Sequence, residues 1–193
     1  MKNLISTATG ILVLGAAVGL TGASFAQNRS GRMEERTASA DPGTQHQRLA
    51  ALTGSWKAEG QCWKNGKAEP VTGAAVSNWV LGNRFIQCKA NWSEAGKTVE
   101  AIGLSGYDNQ QGKFVSSWAD TFGTGIKAET GDYDAATNAF TYTGEFKDDQ
   151  GRTVRCRKVL TIQSDSKHTM TGYQTEPGKS ETKMVEITFT RAG

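Results

Sequence analysis

Apolar and polar residues alternate with a period of two over most of the chain. In one segment the aromatic residues Phe140, Tyr142 and Phe146 share a parity, with threonine, glutamate and glycine between them, and in another Ile187 and Phe189 do the same. Because successive side chains of a strand point to opposite faces, each segment is predicted to be a β-strand with one apolar face. This pattern is typical of antiparallel sheets that cover a core on one side.

Nine clusters of turn-forming residues separate the alternating segments and predict ten strands. No long helical pattern lies between them, so consecutive strands are expected to pair as an antiparallel meander. Ten strands that each have one apolar face leave no unpaired edge strand if they close into an up-and-down barrel. A barrel of more than about eight strands leaves room for a ligand. A two-sheet sandwich is the alternative. The clusters are residues 64–67, 82–83, 93–96, 109–112, 123–125, 134–138, 148–151, 164–167 and 177–180.

The segment before the first strand has a different composition. Residues 27–44 carry mixed charges, turn formers and one large apolar residue, so they are predicted to be a disordered lead. The residues that follow place Leu49 and Leu52 at helical spacing, with Thr44 as a candidate N-cap, which predicts a short helix. The barrel domain is therefore assigned to residues 45–193.

Residues 1–26 have the pattern of a secretory signal peptide. Lys2 is followed by a short apolar run and then by Ser24-Phe25-Ala26, with small residues at the positions that a signal peptidase reads. Cleavage is expected after Ala26. The apolar run is shorter than the roughly 20 residues of a membrane-spanning helix, so no stable membrane anchor is predicted. The expected location is periplasmic or secreted.

The formal net charge is +3 and becomes +2 once Lys2 is removed. This balance is too small to predict nucleic acid or an anionic membrane surface as a partner, because both need a clustered basic face. The basic run Arg155-Cys156-Arg157-Lys158 provides none, since alternate side chains of a strand lie on opposite faces. No feature of the sequence specifies an oligomeric state.

Gly54-Ser55-Trp56 stands at the start of the first predicted strand, and Arg191 stands near the end of the last. In a closed barrel these strands are neighbours, so the guanidinium can lie over the indole, a cation–π contact worth roughly 0.5 to 2 kcal/mol. The pair resembles the Gly-x-Trp and terminal Arg of the lipocalin and fatty-acid-binding superfamily. That resemblance implies a structural closure and not a binding site.

The hairpin of residues 103–121 carries a more specific resemblance. The chain is similar to domain-of-unknown-function family 1579, bacterial proteins of lipocalin-like type, over about residues 46–191. The likeness implies the barrel but no activity, because the function of that family is undetermined. It rests on Gly106-Tyr107-Asp108-Asn109, Trp118-Ala119-Asp120, Thr124-Gly125-Ile126, Gly131-Asp132-Tyr133-Asp134 and Glu181-Thr182-Lys183-Met184-Val185-Glu186-Ile187 with the following Arg191.

The same hairpin predicts a ligand-binding face. A three-residue turn at Gln110-Gln111-Gly112, with the glycine in the left-handed conformation, would place Leu104 opposite Trp118 and Asp108 opposite Phe114. On this register Ile102 also lies on the inner face of the barrel. The predicted ligand-binding residues are Leu104, Phe114, Trp118, Asp120 and Tyr142.

Asp120 would then be a carboxylate in a largely apolar cavity. Such a group is costly unless it is paired or hydrogen-bonded. Arg84 and Arg155 are the candidate partners. Asp120 is interpreted either as a structural salt bridge at a strand end or as a ligand-anchoring carboxylate beside an indole.

Metal and cofactor sites have little support in the sequence. His46 and His168 are far apart and no Cys-x-x-Cys pair accompanies them, so no metal site and no cofactor are predicted. A haem on His168, as in the related nitrobindin-type ten-stranded barrels, is the alternative. His168 follows a turn, however, and is expected to face solvent.

Three cysteines complete the candidate chemistry. Cys62 and Cys88 are predicted on strands separated by a third, roughly 9 to 10 Å apart, whereas a disulfide needs Cα atoms within about 7 Å. With Cys156, they are predicted to be three buried, reduced thiols. No nucleophile elbow, phosphate loop or calcium loop is found.

These observations favour an exported barrel that binds a small apolar or amphipathic molecule in its cavity. One alternative is an enzyme at the barrel mouth that uses Asp120 as an acid or base. The other is an envelope protein-interaction module that uses the outer face or the lead of residues 27–44. The sequence names no ligand.

Overall fold

The structure is a computed structural model that describes residues 40–193 apart from residues 65, 95 and 149. Within this part of the chain, one short helix and one 3₁₀ segment precede ten strands. The elements are α1 (Thr44–Arg48), the 3₁₀ segment (Leu49–Leu52), β1 (Gly54–Lys64), β2 (Lys67–Val80), β3 (Phe85–Glu94), β4 (Lys97–Asp108), β5 (Lys113–Asp120), β6 (Lys127–Asp134), β7 (Ala139–Lys147), β8 (Thr153–Ser164), β9 (Lys167–Thr175) and β10 (Thr182–Arg191).

The strands form a closed antiparallel barrel. Each strand pairs with the next along the chain, and β1 also pairs with β10. The predicted ten-stranded up-and-down barrel is therefore confirmed, and its strand connections fall at the predicted turn clusters. At the closure, Trp56 pairs with Arg191, and the guanidinium carbon of Arg191 lies 4.5 Å from the centroid of the Trp56 ring.

The short helix covers one end of the barrel. Gly43, and not Thr44, is the N-cap, and its N–H donates a hydrogen bond to Nδ1 of His46 at 3.1 Å. Leu49 is completely buried and packs on the core. The end of the barrel beneath Leu49 is called the closed end here. The opposite end, at which β1, β3, β5, β7 and β9 terminate, is called the open end.

Residues 40–43 run along the closed end before the helix. The carbonyl of Ala40 accepts a hydrogen bond from Arg84, and that of Asp41 accepts one from Asn109. These residues belong to the end of the segment predicted to be a disordered lead. The rest of that segment and the predicted signal peptide lie outside the described residues. In the described part of the chain, no helix is long and apolar enough to cross a membrane.

One face of every strand points into the barrel, and its apolar residues form two clusters. The predicted inward residues Phe140, Tyr142 and Ile187 belong to them. The first cluster lies toward the closed end and contains Leu49, Ile86, Phe114, Phe140, Tyr142 and Ile162. The second lies on β1, β2 and β10 and contains Ala58, Cys62, Val71 and Ile187.

The β4–β5 hairpin has a register one residue away from the predicted one. Asp108 pairs with Lys113, so the turn contains four residues, and Gly112 adopts the left-handed φ of 65°. The Asp108 carboxylate accepts hydrogen bonds from the N–H groups of Gln110 and Gln111, which stabilise the longer turn and lower the pKa of Asp108. A one-residue slip moves side chains to the other face of a strand.

This one-residue difference in register changes which residues of β4 face the barrel interior, so the predicted inner face is wrong for Leu104 and Ile102. Leu104 pairs with Ser117 and lies on the outer face, as does the exposed Ile102. Trp118 instead pairs with Gly103, which lets its ring lie against the backbone: a Cβ on Gly103 would be 2.7 Å from the indole.

β6 and β7 are paired over only part of their length. The pairing ends with Thr130 opposite Thr143, although both strands continue toward the open end. Beyond that rung, side chains connect the strands, and the Lys127 ammonium lies 5.7 Å from the centroid of the Phe146 ring. Residues 127–129 and 144–147 are called the β6–β7 seam.

Candidate ligand-binding site

A charged pair lies inside the barrel about halfway along β8. Lys158 Nζ forms an ion pair with Oε2 of Glu129 and donates a hydrogen bond to Oγ of Ser116 at 3.2 Å. The two charged side chains are 22% and 10% exposed. Removing two charges from water is costly, and mutual contact with an added hydrogen bond offsets that cost. Ser116, Glu129, Tyr142, Cys156 and Lys158 are called the inner polar cluster.

The β6–β7 seam allows Glu129 to reach this position. Glu129 lies on β6 and Lys158 on β8, so the carboxylate passes over Gly144 of β7. A Cβ on Gly144 would lie 2.5 Å from the carbonyl oxygen of Ala128 and 3.1 Å from Cγ of Glu129. The Cys156 thiol donates to Oε1 of Glu129 at 3.5 Å. Side chains therefore link β6 to β8 where the backbone ladder between β6 and β7 is missing.

Tyr142 lies beneath the ammonium of Lys158, which is 4.9 Å from the centroid of its ring. The residue is completely buried, and its hydroxyl has no hydrogen-bond partner. Burial and, to a lesser degree, the Glu129 carboxylate raise the pKa of Tyr142, so the phenol stays protonated. An unpaired buried hydroxyl costs about 1 to 3 kcal/mol.

Several inward-facing residues of β8, β9 and β10 are only partly buried. Lys158 occupies an inward-facing position of β8, and 22% of its side chain is exposed. Leu160, Met170 and Phe189 are also inward-facing and only partly buried. The opposite wall carries small residues, among them Ala75, Ala90 and Ala101 on three adjacent strands.

At the open end, Glu94 collects three donors. Its carboxylate accepts from Nε1 of Trp92 at 3.1 Å, from the Cys62 thiol at 3.4 Å and from Nζ of Lys64 at 2.7 Å. Burial alone would raise the pKa of Glu94, but these hydrogen bonds outweigh it and lower the pKa. Burial and the Glu94 charge raise the pKa of Cys62.

Asp120 repeats this arrangement on β5. Its Oδ2 accepts from Nε1 of Trp118 at 3.2 Å and from Nζ of Lys127 at 3.4 Å, and its Oδ1 accepts from the N–H of Phe122 at 3.1 Å. The side chain is 9% exposed. The Trp118 ring stacks on that of Trp92 with centroids 6.3 Å apart, so the two arrangements lie side by side.

The partner of Asp120 therefore differs from both predicted candidates. Arg84 lies at the closed end, where it pairs with Asp41, and Arg155 lies on the outer face near Glu145. Sequence spacing could not show that Lys127, the first residue of the next strand, folds back over Asp120.

The prediction that His168 faces solvent is wrong. His168 is buried at the closed end, stacked on Phe189 with ring centroids 4.6 Å apart and edge-on to Trp56 at 4.4 Å. Burial and then the charge of Arg191 lower its pKa to about 4, and its Nδ1 has no hydrogen-bond partner. It points inward because it pairs with Phe189 on the inner face.

The five predicted ligand-binding residues fall in three places. Phe114 and Tyr142 lie in the inner core, and Trp118 and Asp120 lie at the open end. Leu104 lies outside and, with Phe85 and Val115, lines a depression of about 450 Å³ that also reaches Ser116, Glu129 and Gly144.

The three free cysteines lie on the inner face. Cys62 is buried, while Cys88 and Cys156 are partly buried. Burial is the largest cause of the raised pKa of all three thiols. Among the described residues, no group of three or more His, Cys, Asp or Glu is placed to hold a metal ion.

Glu129 and Lys158 were missed from the sequence, although a signal was present. Lys158 shares its parity with Cys156 and Leu160 on β8, and Glu129 shares its parity with Gly131 on β6. A charged residue on an otherwise apolar face is the exception that identifies a buried polar site.

Comparisons with known proteins agree with the barrel. The sequence profile of the family described as "Protein of unknown function (DUF1579)" matches residues 41–191. The chain belongs to the DUF1579 family. No curated protein matches this DUF1579 chain significantly.

Two solved structures share the fold of this DUF1579 protein. One is the S-type phycobiliprotein lyase CPES from Guillardia theta, with a TM-score of 0.53 and 9% identity over 75% of this chain and 90% of that one. The other is Rv2717c from M. tuberculosis, with a TM-score of 0.59 and 13% identity over 79% of this chain and all of that one. At such low identities the likeness concerns the fold alone.

Proposed function

We propose that this DUF1579 protein binds a small amphipathic molecule inside its barrel, with the inner polar cluster as the polar end of the site. The observation that carries the proposal is the partly exposed Lys158 side chain at mid-barrel. A lysine in a filled core would be enclosed, whereas this one is partly exposed, and the inward-facing Leu160, Met170 and Phe189 are only partly buried as well. Pockets that are mostly apolar with a few convergent polar groups are typical ligand sites.

The charges of the cluster define the class of ligand. Lys158 and Glu129 neutralise each other, so a charged ligand would have to break a largely buried pair. A neutral molecule with one hydrogen-bonding group and an apolar body fits without that cost. The phycobiliprotein lyase and Rv2717c support only the use of this barrel architecture, and the proposal rests on the interior residues.

The ligand enters through the open end. The closed end is covered by Leu49 and by the contact of Trp56 with Arg191, whereas the β6–β7 seam and the 121–126 loop border the opening. The predicted signal peptide would place this function in the periplasm or outside the cell. A mature protein that begins at Gln27, identified by mass in the periplasmic fraction, tests that part.

Two matched substitutions on β3 test binding. Ala90→Phe fills the interior, whereas Lys89→Phe adds the same ring to the exposed outer face of the adjacent position. The neutral fluorophore N-phenyl-1-naphthylamine serves as the probe. Wild type and Lys89→Phe are expected to bind one probe, and Ala90→Phe to bind it about tenfold more weakly or not at all.

The graded series Ala90→Val and Ala90→Leu guards against misfolding, and each variant is checked by near-UV circular dichroism. Equal affinity across a folded series, or no saturable binding by wild type, would overturn the proposal. Native mass spectrometry and an absorption spectrum of protein from its own host identify the natural ligand. A Soret band there would favour the haem alternative instead.

A further inference from the structure

The loop between β5 and β6 exposes two large apolar side chains at the open end. Phe122 is 56% and Ile126 75% exposed, although large apolar residues are usually found inside. Phe122 contacts the rim of the barrel through the ring of Trp92, with centroids 6.3 Å apart. Ile126 immediately precedes β6. The two side chains therefore lie on one exposed loop at the open end.

Exposed lysine side chains surround this loop, and the carboxylates that pair with them are nearly buried. The Lys64 side chain is 51% exposed and that of Glu94 is 10% exposed; for Lys127 and Asp120 the values are 47% and 9%. The Lys64 ammonium lies 5.6 Å from the centroid of the Phe122 ring. The exposed Lys67 and Lys97 stand on the neighbouring turns of the same end.

The other half of the open end is different. There Asp148, Glu176 and Glu181 stand beside the cations, and Arg152 pairs with both Asp148 and Glu176. The half that carries Lys64, Lys67, Lys97 and Lys127 is called the lysine side. Its carboxylates Glu94 and Asp120 are nearly buried and Glu69 is partly buried, whereas Glu100 is exposed on β4, where its N–H donates to Oγ1 of Thr121. The outermost charge around Phe122 and Ile126 is therefore positive.

We propose that the lysine side of the open end docks transiently on an anionic lipid bilayer, with Phe122 and Ile126 inserted at the interface. Two apolar side chains on one loop are too few for a stable protein interface, which buries about 1,200 Å² or more. They suit an interfacial contact, where apolar insertion and lysine attraction to anionic lipid act together. This docking does not depend on the identity of any interior ligand.

Sedimentation with vesicles tests the docking. Wild type is expected to bind phosphatidylcholine vesicles that contain phosphatidylglycerol and to be released by high salt, because screening weakens surface attraction. The double variant Phe122→Asn/Ile126→Asn should lower the partition coefficient by about tenfold or more. Replacing Lys67 and Lys97 by glutamine should lower it by about fivefold for each residue.

The matched control is Leu81→Asn. Leu81 is 67% exposed at the closed end, and its φ of 52° suits asparagine. This variant should bind vesicles as wild type does. No binding by wild type at low salt, equal binding by the loop variant, or equal loss in Leu81→Asn would overturn the proposal. The Lys67→Gln/Lys97→Gln variant should still bind the interior fluorophore, so loss of vesicle binding is distinguishable from loss of the interior site.

Discussion

The two ends of the barrel use tryptophan and a cation in opposite ways. At the closed end the Arg191 guanidinium lies on the face of the buried Trp56 ring. At the open end the edge of Trp118 donates to Asp120, which in turn holds a half-exposed Lys127. At the closed end, packing of the guanidinium on the indole face seals the barrel. At the open end, the indole N–H binds the Asp120 carboxylate, and the lysine that pairs with this carboxylate stays in water. Stability is therefore expected at the closed end and access at the open end.

The largest effect should come from removing the closed-end indole. Trp56→Ala deletes a ring that is 2% exposed, and with it the hydrogen bond from Nε1 to the carbonyl of Leu52. A loss of about 3 to 5 kcal/mol in the free energy of unfolding is expected. Trp118→Ala, the matched change at the open end, should cost about half as much because Trp118 is only partly buried. Urea denaturation measures both, and equal losses would contradict the contrast between the ends.

The inner polar cluster lies between the two ends and should rank next. Lys158→Met leaves the Glu129 carboxylate buried without a counter-ion and with only the Cys156 thiol as a donor, and a loss of about 3 kcal/mol is expected. The double variant Lys158→Met/Glu129→Gln should recover much of that loss, because no charge then remains inside. A double variant as unstable as the single one would show that the pair is not the cause.

The closed end should also respond to pH. The pKa of His168 is 6.5 in an unfolded chain and about 4 in the folded protein, so between these values only the unfolded state binds the proton. The contribution of neutral His168 to the free energy of unfolding is complete above about pH 6.5, decreases as the pH falls and is lost near pH 4. The expected loss between about pH 7.5 and pH 5 is roughly 2 kcal/mol.

His168→Phe should abolish this part of the pH dependence. Phenylalanine keeps the ring contacts with Trp56 and Phe189 and removes the unpartnered Nδ1, so the variant should be at least as stable as wild type at neutral pH. Unfolding free energies of the two proteins at both pH values provide the comparison. An unchanged difference would assign the pH dependence to other groups.

The smallest effect is expected from Asp120→Asn. The amide keeps a carbonyl oxygen for Trp118 but weakens the contact with the half-exposed Lys127, and a loss of about 1 kcal/mol is expected. The change should leave fluorophore binding inside the barrel unaltered. A loss of binding or turnover with folding intact would instead support the mouth-enzyme alternative.

The sequence was sufficient for the barrel because the relevant signals are local. Alternation and turn residues act within a few positions, so ten strands and their connections followed from them, as did the pairing of Trp56 with Arg191 once closure was assumed. The site depends on contacts between distant segments. Glu129 meets Lys158 only because β6 leaves β7 at Gly144, and no periodicity records that departure.

The wrong register predicted for the β4–β5 hairpin shows that one local contact can decide which face of a strand points inward. The Asp108 carboxylate binds two backbone N–H groups, lengthens the turn by one residue and thereby sends Leu104 outward.

The lysine side of the open end was missed for a different reason. Lys64, Lys67, Lys97 and Lys127 are scattered in sequence, and only the closed sheet brings their turns to the same end.

The inward position of the thiols makes the interior open to chemical labelling. Cys88 and Cys156 belong to opposite walls and are partly buried, with a raised pKa that slows their reaction. A small uncharged thiol reagent must enter the barrel to modify them. Their modification rates therefore report entry and occupancy, and a molecule that fills the cavity should protect both from alkylation without any engineered probe.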